Sequence, residues 1–360
     1  MTTVVTGGTP STEKREYWDN GSIPWLQSGC CQNCEVNSAG KYITQEGYDN
    51  SSTRMMPADT VMIALTGATA GKVGYLNFAA CGNQSITGIL PCGALNQRYL
   101  FYYLISQRHK ILADCVGGAQ AHISQGYVKN IKVPVLSLVE QEQVVEVLTQ
   151  LNNIISMRRK EIGLLDTLVK SRFAEMFGDV KYGTERWGGK PFKDITINLD
   201  SKRKPVKDAD RKKMQGIYPY YGATGIVDYV NDYRQDGDFL LISEDGKALE
   251  LRSKPIAFLA SGKIWVNNHA HVQQCTDECN MIYLMYHINF MDISIWVTGI
   301  DQKKLNRANL DIIPIALPPI ELQNQFADFV VSVDKSKSKI QKSLEETQLL
   351  FDSLMQKYFG

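Results

Sequence analysis

The sequence predicts an α+β protein written twice: two globular segments of mixed strand and helix, each followed by one long coiled-coil helix. Three observations carry this. At 360 residues the chain is too long for one typical domain and comfortable for two. Two stretches of about forty residues place apolar side chains at alternating steps of four and three, the seam of a coiled coil. Those stretches end alike, in Ser171-Arg-Phe-Ala-Glu-Met-Phe-Gly178 and Ser353-Leu-Met-Gln-Lys-Tyr-Phe-Gly360, at an offset of 182 residues.

The offset organises the chain without gaps. It carries Gln120 onto Gln302, Ile131 onto Ile313, and Gln141 and Gln143 onto Gln323 and Gln325. A first globular domain is predicted over residues 1–137 and its helix over 138–178. A second domain follows over 179–318, with its helix over 319–360. In the first domain Thr60–Leu65 reads as a buried strand, followed by the glycine-rich turn Thr66–Lys72 and an apolar, aromatic helix over Tyr99–Ile105. In the second, the strand Asp238–Ile242, the turn Ser243–Lys247 and the helix Met281–Ile288 follow in the same order.

The first helix has its seam at Val144, Leu148, Leu151, Ile155, Ile162, Leu165, Val169 and Met176, interrupted at Arg158 and Arg172. The second uses Phe326, Val330, Val333, Ile340, Leu344, Phe351, Leu354 and Tyr358, interrupted instead at Lys337 and Thr347. Polar seam residues cost stability and fix register and partner choice. Gly178 and Gly360 suit helix C-termini. Each helix is about 55–60 Å long at 1.5 Å per residue, the dimension of a spacer rather than a core element.

Composition narrows the function classes. Hydrophobic residues make up 44% and charged residues 21%, which excludes a disordered chain or a fibre. Lys+Arg at 39 balance Asp+Glu at 38, so a polycation that coats nucleic acid is excluded. Any DNA affinity must come from local patches. No apolar run reaches the length of a membrane span, and Met1-Thr2-Thr3 opens no basic leader. A soluble, cytoplasmic protein with no membrane partner is expected. The eight cysteines are then expected as reduced thiols.

No catalytic signature stands out. Gly67-Ala-Thr-Ala-Gly71-Lys72-Val73 falls short of a P-loop, with three residues between the glycines and Val73 where Ser or Thr would hold magnesium. It reads either as a turn whose amides and Lys72 meet a DNA phosphate or as a plain strand connection. Cys30, Cys31 and Cys34, and His269 and His271 with Cys275 and Cys279, are ligand types without a recognisable zinc spacing, and no metal is assigned. Asp245-Gly-Lys247 has the Asp-x-Lys form of nuclease sites but no partner acid on a preceding strand. The strongest charge cluster is Lys202, Arg203, Lys204, Lys207, Arg211, Lys212 and Lys213, set against Asp200, Asp208 and Asp210 and followed by Tyr218, Tyr220 and Tyr221. A basic loop beside aromatics suits phosphate contact and groove entry; the bland alternative is a solvated surface loop.

Gly7-Gly-Thr-Pro-Ser-Thr12, Ile23-Pro-Trp25, Ile43-Thr-Gln-Glu-Gly47, Thr66–Lys72, Asn83-Gln-Ser-Ile86 and Gln120-Ala-His-Ile-Ser124 resemble the target-recognition domain of type I restriction–modification specificity subunits. Glu140-Gln141 and Pro318-Pro-Ile-Glu-Leu-Gln323 are similar to that family's central and distal conserved regions. The resemblance covers essentially the whole chain. It departs at the start, where six residues precede Gly7 in place of the family's strand and lead-in, which puts the first domain's outermost strand in question.

The resemblance implies two target-recognition domains on long antiparallel coiled-coil helices, related by a pseudo-twofold axis. Each domain would read one half of a bipartite, asymmetric double-stranded DNA target. It implies no catalysis and no cofactor in this chain. Two methyltransferase subunits would bring S-adenosylmethionine, and restriction/translocase subunits would bring ATP and Mg. Candidate DNA contacts in the first domain are Thr9, Ser11, Thr12, Lys41, Thr66, Thr69, Lys72, Asn83 and Gln84. In the second they are Lys202, Arg203, Lys204, Lys207, Arg211, Lys212, Lys213, Tyr220, Tyr221, Lys247, Asn268 and His269. Three rivals stay open: a specificity module of another class of modification enzyme, an endonuclease using Asp245 and Lys247, and a coiled-coil adaptor with no DNA role.

Overall fold

The computed structural model describes residues 2–114, 122–180 and 186–360; Cys115, Gln120 and Ala121 lie outside the described residues. The chain forms two compact units, Met1–Arg159 with Lys342–Gly360 and Lys160–Gln341, so each long helix is shared between them.

The first unit comprises β1 (Val4–Thr6), β2 (Ile23–Leu26), β3 (Cys34–Val36), β4 (Lys41–Ile43), α1 (Gln45–Asp49), β5 (Met55–Met56), β6 (Thr60–Ala64), β7 (Val73–Leu76), β8 (Ala80–Gly82) and β9 (Ile86–Ile89). Then come α2 (Gln97–Ser106), α3 (Arg108–Ala113), α4 (Gln125–Lys129) and the long α5 (Leu138–Phe177). The strands make two sheets, ordered β1-β9-β6-β7-β3 and β4-β2-β8-β5. β6 is buried along its whole length, as expected of a continuous apolar strand covered on both faces. The outermost strand does form: β1 pairs antiparallel with β9, with Val4 opposite Ile89. It gives way directly to Gly7, where an added Cβ would stand 2.1 Å from the Gly82 carbonyl oxygen, so only glycine allows this approach.

The second unit comprises β10 (Gly189–Pro191), β11 (Thr196–Asn198), α6 (Asp208–Arg211), β12 (Gln215–Gly222), β13 (Gly225–Val230), β14 (Gln235–Ser243), α7 (Lys247–Leu251), β15 (Ala257–Val266) and β16 (Ala270–Cys275). α8 (Met281–Phe290), α9 (Arg307–Asp311), β17 (Pro314–Ala316) and the long α10 (Ile320–Phe359) complete it. Its main sheet is ordered β11-β16-β14-β15-β12-β13. The first five strands repeat β1-β9-β6-β7-β3, including one parallel pairing in each, β3 with β7 and β12 with β15.

α5 and α10 begin and end 182 residues apart, at Leu138 and Ile320 and at Phe177 and Phe359. A capping box starts α5: the Ser137 N–H donates to the Glu140 carboxylate at 2.9 Å and the Glu140 N–H to Ser137 Oγ at 3.3 Å. Pro318 and Pro319 precede α10. The repeated glutamines have a structural cause, since both are fully buried. Gln141 Oε1 accepts from the Asn96 N–H and its Nε2 donates to the Leu136 carbonyl, each at 2.8 Å. Gln323 makes the same pair with Asn280 and Pro318, each at 2.8 Å, and also donates to Glu278. Asn96 and Asn280 cap α2 and α8, so one amide ties each long helix to its short neighbour.

Every predicted seam position is buried or half-buried. In the first unit Val144 and Leu148 share a core with Met355 and Phe359; in the second Val169 and Phe173 share one with Phe326, Val330 and Val333. The helices run in opposite senses: in the second unit Asp166 meets Lys337, while Phe173, further along α5, meets Phe326, earlier in α10. The polar interruptions are matched rather than orphaned. Arg158 donates to the Ser343 carbonyl at 2.6 Å and to Thr347 Oγ1, and Arg172 lies 5.9 Å from the Phe329 ring centre. Among the described residues no helix is long and apolar enough to cross a membrane.

Two stability measurements follow from this core. Gln323→Leu orphans the Asn280 amide and the carbonyls it serves, and urea unfolding is expected to show a loss of about 1–3 kcal/mol per orphaned group. Gln325→Leu, on the exposed face, is expected to change stability by less than about 0.5 kcal/mol. His287 is enclosed, accepts the Ala316 N–H at Nε2 (3.2 Å), and burial pushes its pKa down to about 3. Its neutral form therefore stabilises the fold fully above the ordinary imidazole value of about 6.5, and that contribution fades as pH falls toward 3. Thermal melts between pH 7 and pH 4 are expected to lose this slope in His287→Phe.

Candidate nucleic-acid interface

One corner of the sheet is built identically in the two units and furnished differently. In the first, the Leu65 N–H donates to the Ser85 carbonyl and the Ile123 N–H to the Leu65 carbonyl, both at 2.8 Å. In the second, the Glu244 N–H donates to the His269 carbonyl at 2.9 Å and the Leu305 N–H to the Glu244 carbonyl at 2.8 Å. The turn into the next strand is held by an asparagine in each: Asn83 Oδ1 accepts from the Ser85 N–H at 3.2 Å, Asn267 Oδ1 from the His269 N–H at 2.7 Å. Thr66 and Asp245 thus take one place in this frame, and Ser85 and His269 another. In the first unit the Thr66 hydroxyl donates to Ser85 Oγ at 2.9 Å; in the second, His269 Nδ1 donates to the Asp245 carboxylate at 2.8 Å. Two hydroxyls face one corner and a carboxylate–imidazole pair the other.

Around the first corner Thr9, Ser11, Thr12, Lys41 and Gln84 are exposed, and Thr66, Thr69, Lys72 and Asn83 half-buried. Thr9 hydrogen-bonds Gln84, joining the Gly7–Thr12 motif to the Asn83–Ile86 motif. Sequence reasoning missed Trp18 and Tyr42. With Thr12 and Lys41 they line an open hollow of about 390 Å³, with the Lys41 ammonium 6.0 Å from the Trp18 ring centre. A cation beside the half-buried Trp18 and the exposed Tyr42 suits a phosphate next to a stacked base. The signal in the sequence was the aromatic pair Tyr17-Trp18 set among charged residues, and Tyr42 beside Lys41.

The turn Thr66–Lys72 is a strand connection. The Ala70, Gly71 and Lys72 amides donate to the Gly67, Ala64 and Thr69 carbonyls at 3.0, 2.9 and 2.8 Å, so these three are spent within the turn. Lys72 Nζ donates to Gln32 at 2.6 Å. Gly67 and Gly71 have φ of +75° and +73°, the left-handed backbone that makes glycine the fitting residue at both.

The basic loop of the second unit divides by residue type. Lys202, Lys204, Lys207, Lys212 and Lys213 are exposed, with Lys212 also reaching Asp208 at 3.1 Å. Arg203 and Arg211 are not surface contacts. Arg203 is 16% exposed, pairs with Glu244 at 2.5 Å and Asp200 at 3.3 Å, and donates to the Ala270 carbonyl. Arg211 is 18% exposed, pairs with Asp208 at 2.7 Å and Asp228 at 3.1 Å, and lies 5.1 Å from the Tyr220 ring centre. Planar, forked guanidinium groups hold two carboxylates at once, whereas lysine heads on flexible stems stay solvated. Tyr220 and Tyr221 are likewise withdrawn. Tyr220 is 1% exposed, its hydroxyl accepting the Val206 N–H at 2.9 Å, and Tyr221 is buried against Phe258. Tyr220 supports the loop from beneath, packed with Val206 and Met214, while Tyr221 packs on the other face of the sheet; both are covered because β12 lies inside the sheet, between β13 and β15.

The same loop rests on a charged network. Asp200 accepts from His271 Nδ1 at 2.7 Å and from the Val272 N–H at 2.8 Å, while His271 Nε2 reaches the Leu305 carbonyl at 2.8 Å. Burial opposes ionisation of Asp200 and Glu244; His271 and Arg203 outweigh it at both, with Lys304 adding to Glu244, and hold the two carboxyls below their ordinary range. Lys247, Asn268 and His269 stand exposed beside this network. His271 is thus turned inward to Asp200 and His269 outward to Asp245, while Cys275 and Cys279 sit at the far end of β16. Among the described residues no group of three His, Cys, Asp or Glu side chains is arranged to hold a metal.

Comparison with known proteins places this architecture. Residues 1–164 and 185–347 each match the family described as type I restriction modification DNA specificity domain. A putative type I restriction enzyme specificity subunit, S.HindORF215P of Haemophilus influenzae, is 38% identical over 136 residues, covering 38% of this chain and 34% of that one. The chain therefore spans about a third of the length of that relative. The EcoprrI specificity subunit of Escherichia coli is 23% identical over 366 residues, covering 93% of this chain and 86% of that one. The crystal structure of an S subunit from M. genitalium superposes over 100% of this chain and 94% of its own, with a TM-score of 0.63 at 16% identity, a likeness of fold. The chain belongs to the type I restriction modification DNA specificity domain family and carries that domain twice.

Proposed function

We propose that this chain is the non-catalytic DNA-reading subunit of a type I restriction–modification complex, each unit reading one half of a bipartite, asymmetric double-stranded target. The observation that carries this is the shared corner, where one backbone frame presents Thr66 and Ser85 in one unit and Asp245 and His269 in the other. Hydroxyls and a carboxylate–imidazole pair select different base edges, while a common frame keeps the approach to the groove the same. The exposed lysines of the 202–213 loop and Lys41 supply sequence-independent phosphate contacts. Two methyltransferase subunits supply S-adenosylmethionine chemistry on the target, and restriction/translocase subunits supply ATP- and Mg-dependent steps. The long helices set the gap between half-sites.

Inserting seven residues at matched points, after Arg159 and after Gln341, lengthens both helices by about 10 Å and is expected to widen the gap by about three base pairs. Mapping methylated adenines in cells carrying the complex checks this; an unchanged gap, or an altered half-site, would sink the spacer role. For the phosphate contacts, Lys204→Ala, Lys207→Ala and Lys213→Ala together are expected to weaken binding to every duplex. They should also reduce the slope of log affinity against log salt by about 0.9 for each phosphate that is no longer neutralised. Arg203→Met is expected instead to lower the unfolding midpoint, because it removes the guanidinium shared by the half-buried carboxylates of Glu244 and Asp200 and leaves them with Lys304 and His271 alone as charged partners. Metal-dependent cleavage of DNA by the purified chain would favour the endonuclease rival over this reading.

A further inference from the structure

Beside the second unit's corner stands a short loop with an apolar tip. The Thr298 N–H donates to the Lys304 carbonyl at 2.9 Å and the Lys304 N–H to the Thr298 carbonyl at 2.8 Å, which closes residues 299–303 into a tight turn. Gly299 permits that closure: its φ is +95°, and an added Cβ would stand 2.1 Å from the Gln302 carbonyl oxygen. The base of the loop is fastened to the corner itself. Lys304 bridges to the main chain of Asp245, the Gly246 N–H donates to the Lys303 carbonyl at 3.3 Å, and Lys304 Nζ pairs with Glu244 at 3.0 Å. Asp245 is therefore the common neighbour of the loop and of His269, whose Nδ1 donates to its carboxylate at 2.8 Å.

At the tip Ile300 is 94% exposed, the most exposed of the large apolar side chains among the described residues. A single apolar residue on a surface needs no explanation by itself. Ile300 differs in where it is held, on a loop braced against a carboxylate–imidazole pair and followed by the exposed Asp301 and Gln302. By the offset of 182, Gly299 aligns with Gly117 and Ile300 with Gly118, both outside the described residues, so the glycine is shared and the side chain is not. The four base pairs can all be told apart only in the major groove, where a carboxylate and an imidazole find distinct donors and acceptors. One apolar group stands among them, the 5-methyl group of thymine. A β-branched side chain with few rotamers suits a contact on it.

We infer that Ile300 is a specificity-determining residue of the second unit, packing on the 5-methyl group of one thymine in the half-site that this unit reads. The inference rests on the corner being the surface that faces the bases. Insertion of the isoleucine between stacked base pairs would use the same exposure, but such wedges enter from the minor groove. There Asp245 and His269 would meet a pattern that separates A·T from G·C and little more. A methyl contact lets all three side chains work in one groove.

The test is a double-mutant cycle on the chain assembled with its methyltransferase subunits. Mapped methylated adenines give the target, and each thymine of either strand is then replaced in turn by uracil, which keeps the base pairing and removes only the methyl group. By fluorescence anisotropy, binding is expected to weaken about fourfold at one thymine, the weight of one buried methyl group. At that thymine the Ile300→Ser complex is expected to bind the thymine and uracil duplexes equally, while Ile300→Val, which keeps the β-branch, retains the loss. Both variants are expected to hold the melting temperature, since the side chain stands in water; Ile300→Ala replaces Ile300→Ser should that one melt lower. Selective binding with no loss at any uracil, or the same losses in the wild type and Ile300→Ser, would overturn the inference and leave the DNA-reading role standing. Binding by the complex with no sequence selectivity would overturn that role, and this inference with it.

Discussion

The structure depends on the mutual burial of two forty-residue helices, neither of which has enough apolar surface to stand alone in water. Each half of α5 has its seam covered by the opposing half of α10 and by the sheet-bearing part of one unit, so neither unit has a complete core without both helices. That requirement explains why the repeat is strict in the helices and loose elsewhere. A one-residue slip would move Val144, Leu148, Phe326 and Val330 off the seam together and pull Gln141 and Gln323 away from the helix caps they satisfy. The surfaces of the sheets carry no such constraint.

This division of labour connects packing to function. The corner at Thr66 and Asp245 is held by main-chain bonds and by Asn83 and Asn267, so the outward side chains change without moving the frame. A pair of hydroxyls and a carboxylate–imidazole pair stand in equivalent positions as a result. The charged network beneath the second unit's loop works in the same direction. Arg203 and Arg211 are absorbed by Asp200, Glu244, Asp208 and Asp228, which anchors the loop and leaves its lysines outermost. A near-neutral chain thereby presents a local positive face.

Much of the fold was legible in the sequence, and the reason differs by element. The long helices were visible because a heptad is a local pattern, and their termini because Ser137 and Glu140, Pro318 and Pro319, and the closing glycines are local signals. The strands β6 and β14 were visible as short apolar runs ahead of glycine-containing turns. The outermost strand β1 was not, because three residues carry no period and its pairing with β9 depends on Gly7 approaching Gly82. In the basic loop the lysines stand exposed while the arginines and tyrosines are drawn inward, a division the sequence did not show because loop composition says nothing about what lies beneath.

By itself the sequence determined that the protein is a repeated α+β unit with paired long helices, because period, offset and capping residues act within a few turns of chain. Only the tertiary structure decided which polar groups face water. Arg203 turns inward because Glu244 stands 41 residues away, and Asp200 is held by His271 from 71 residues away. Burial and charge pairing are settled by neighbours in space, and a strand order that joins β11 to β16 and β12 to β15 brings those neighbours from distant parts of the chain.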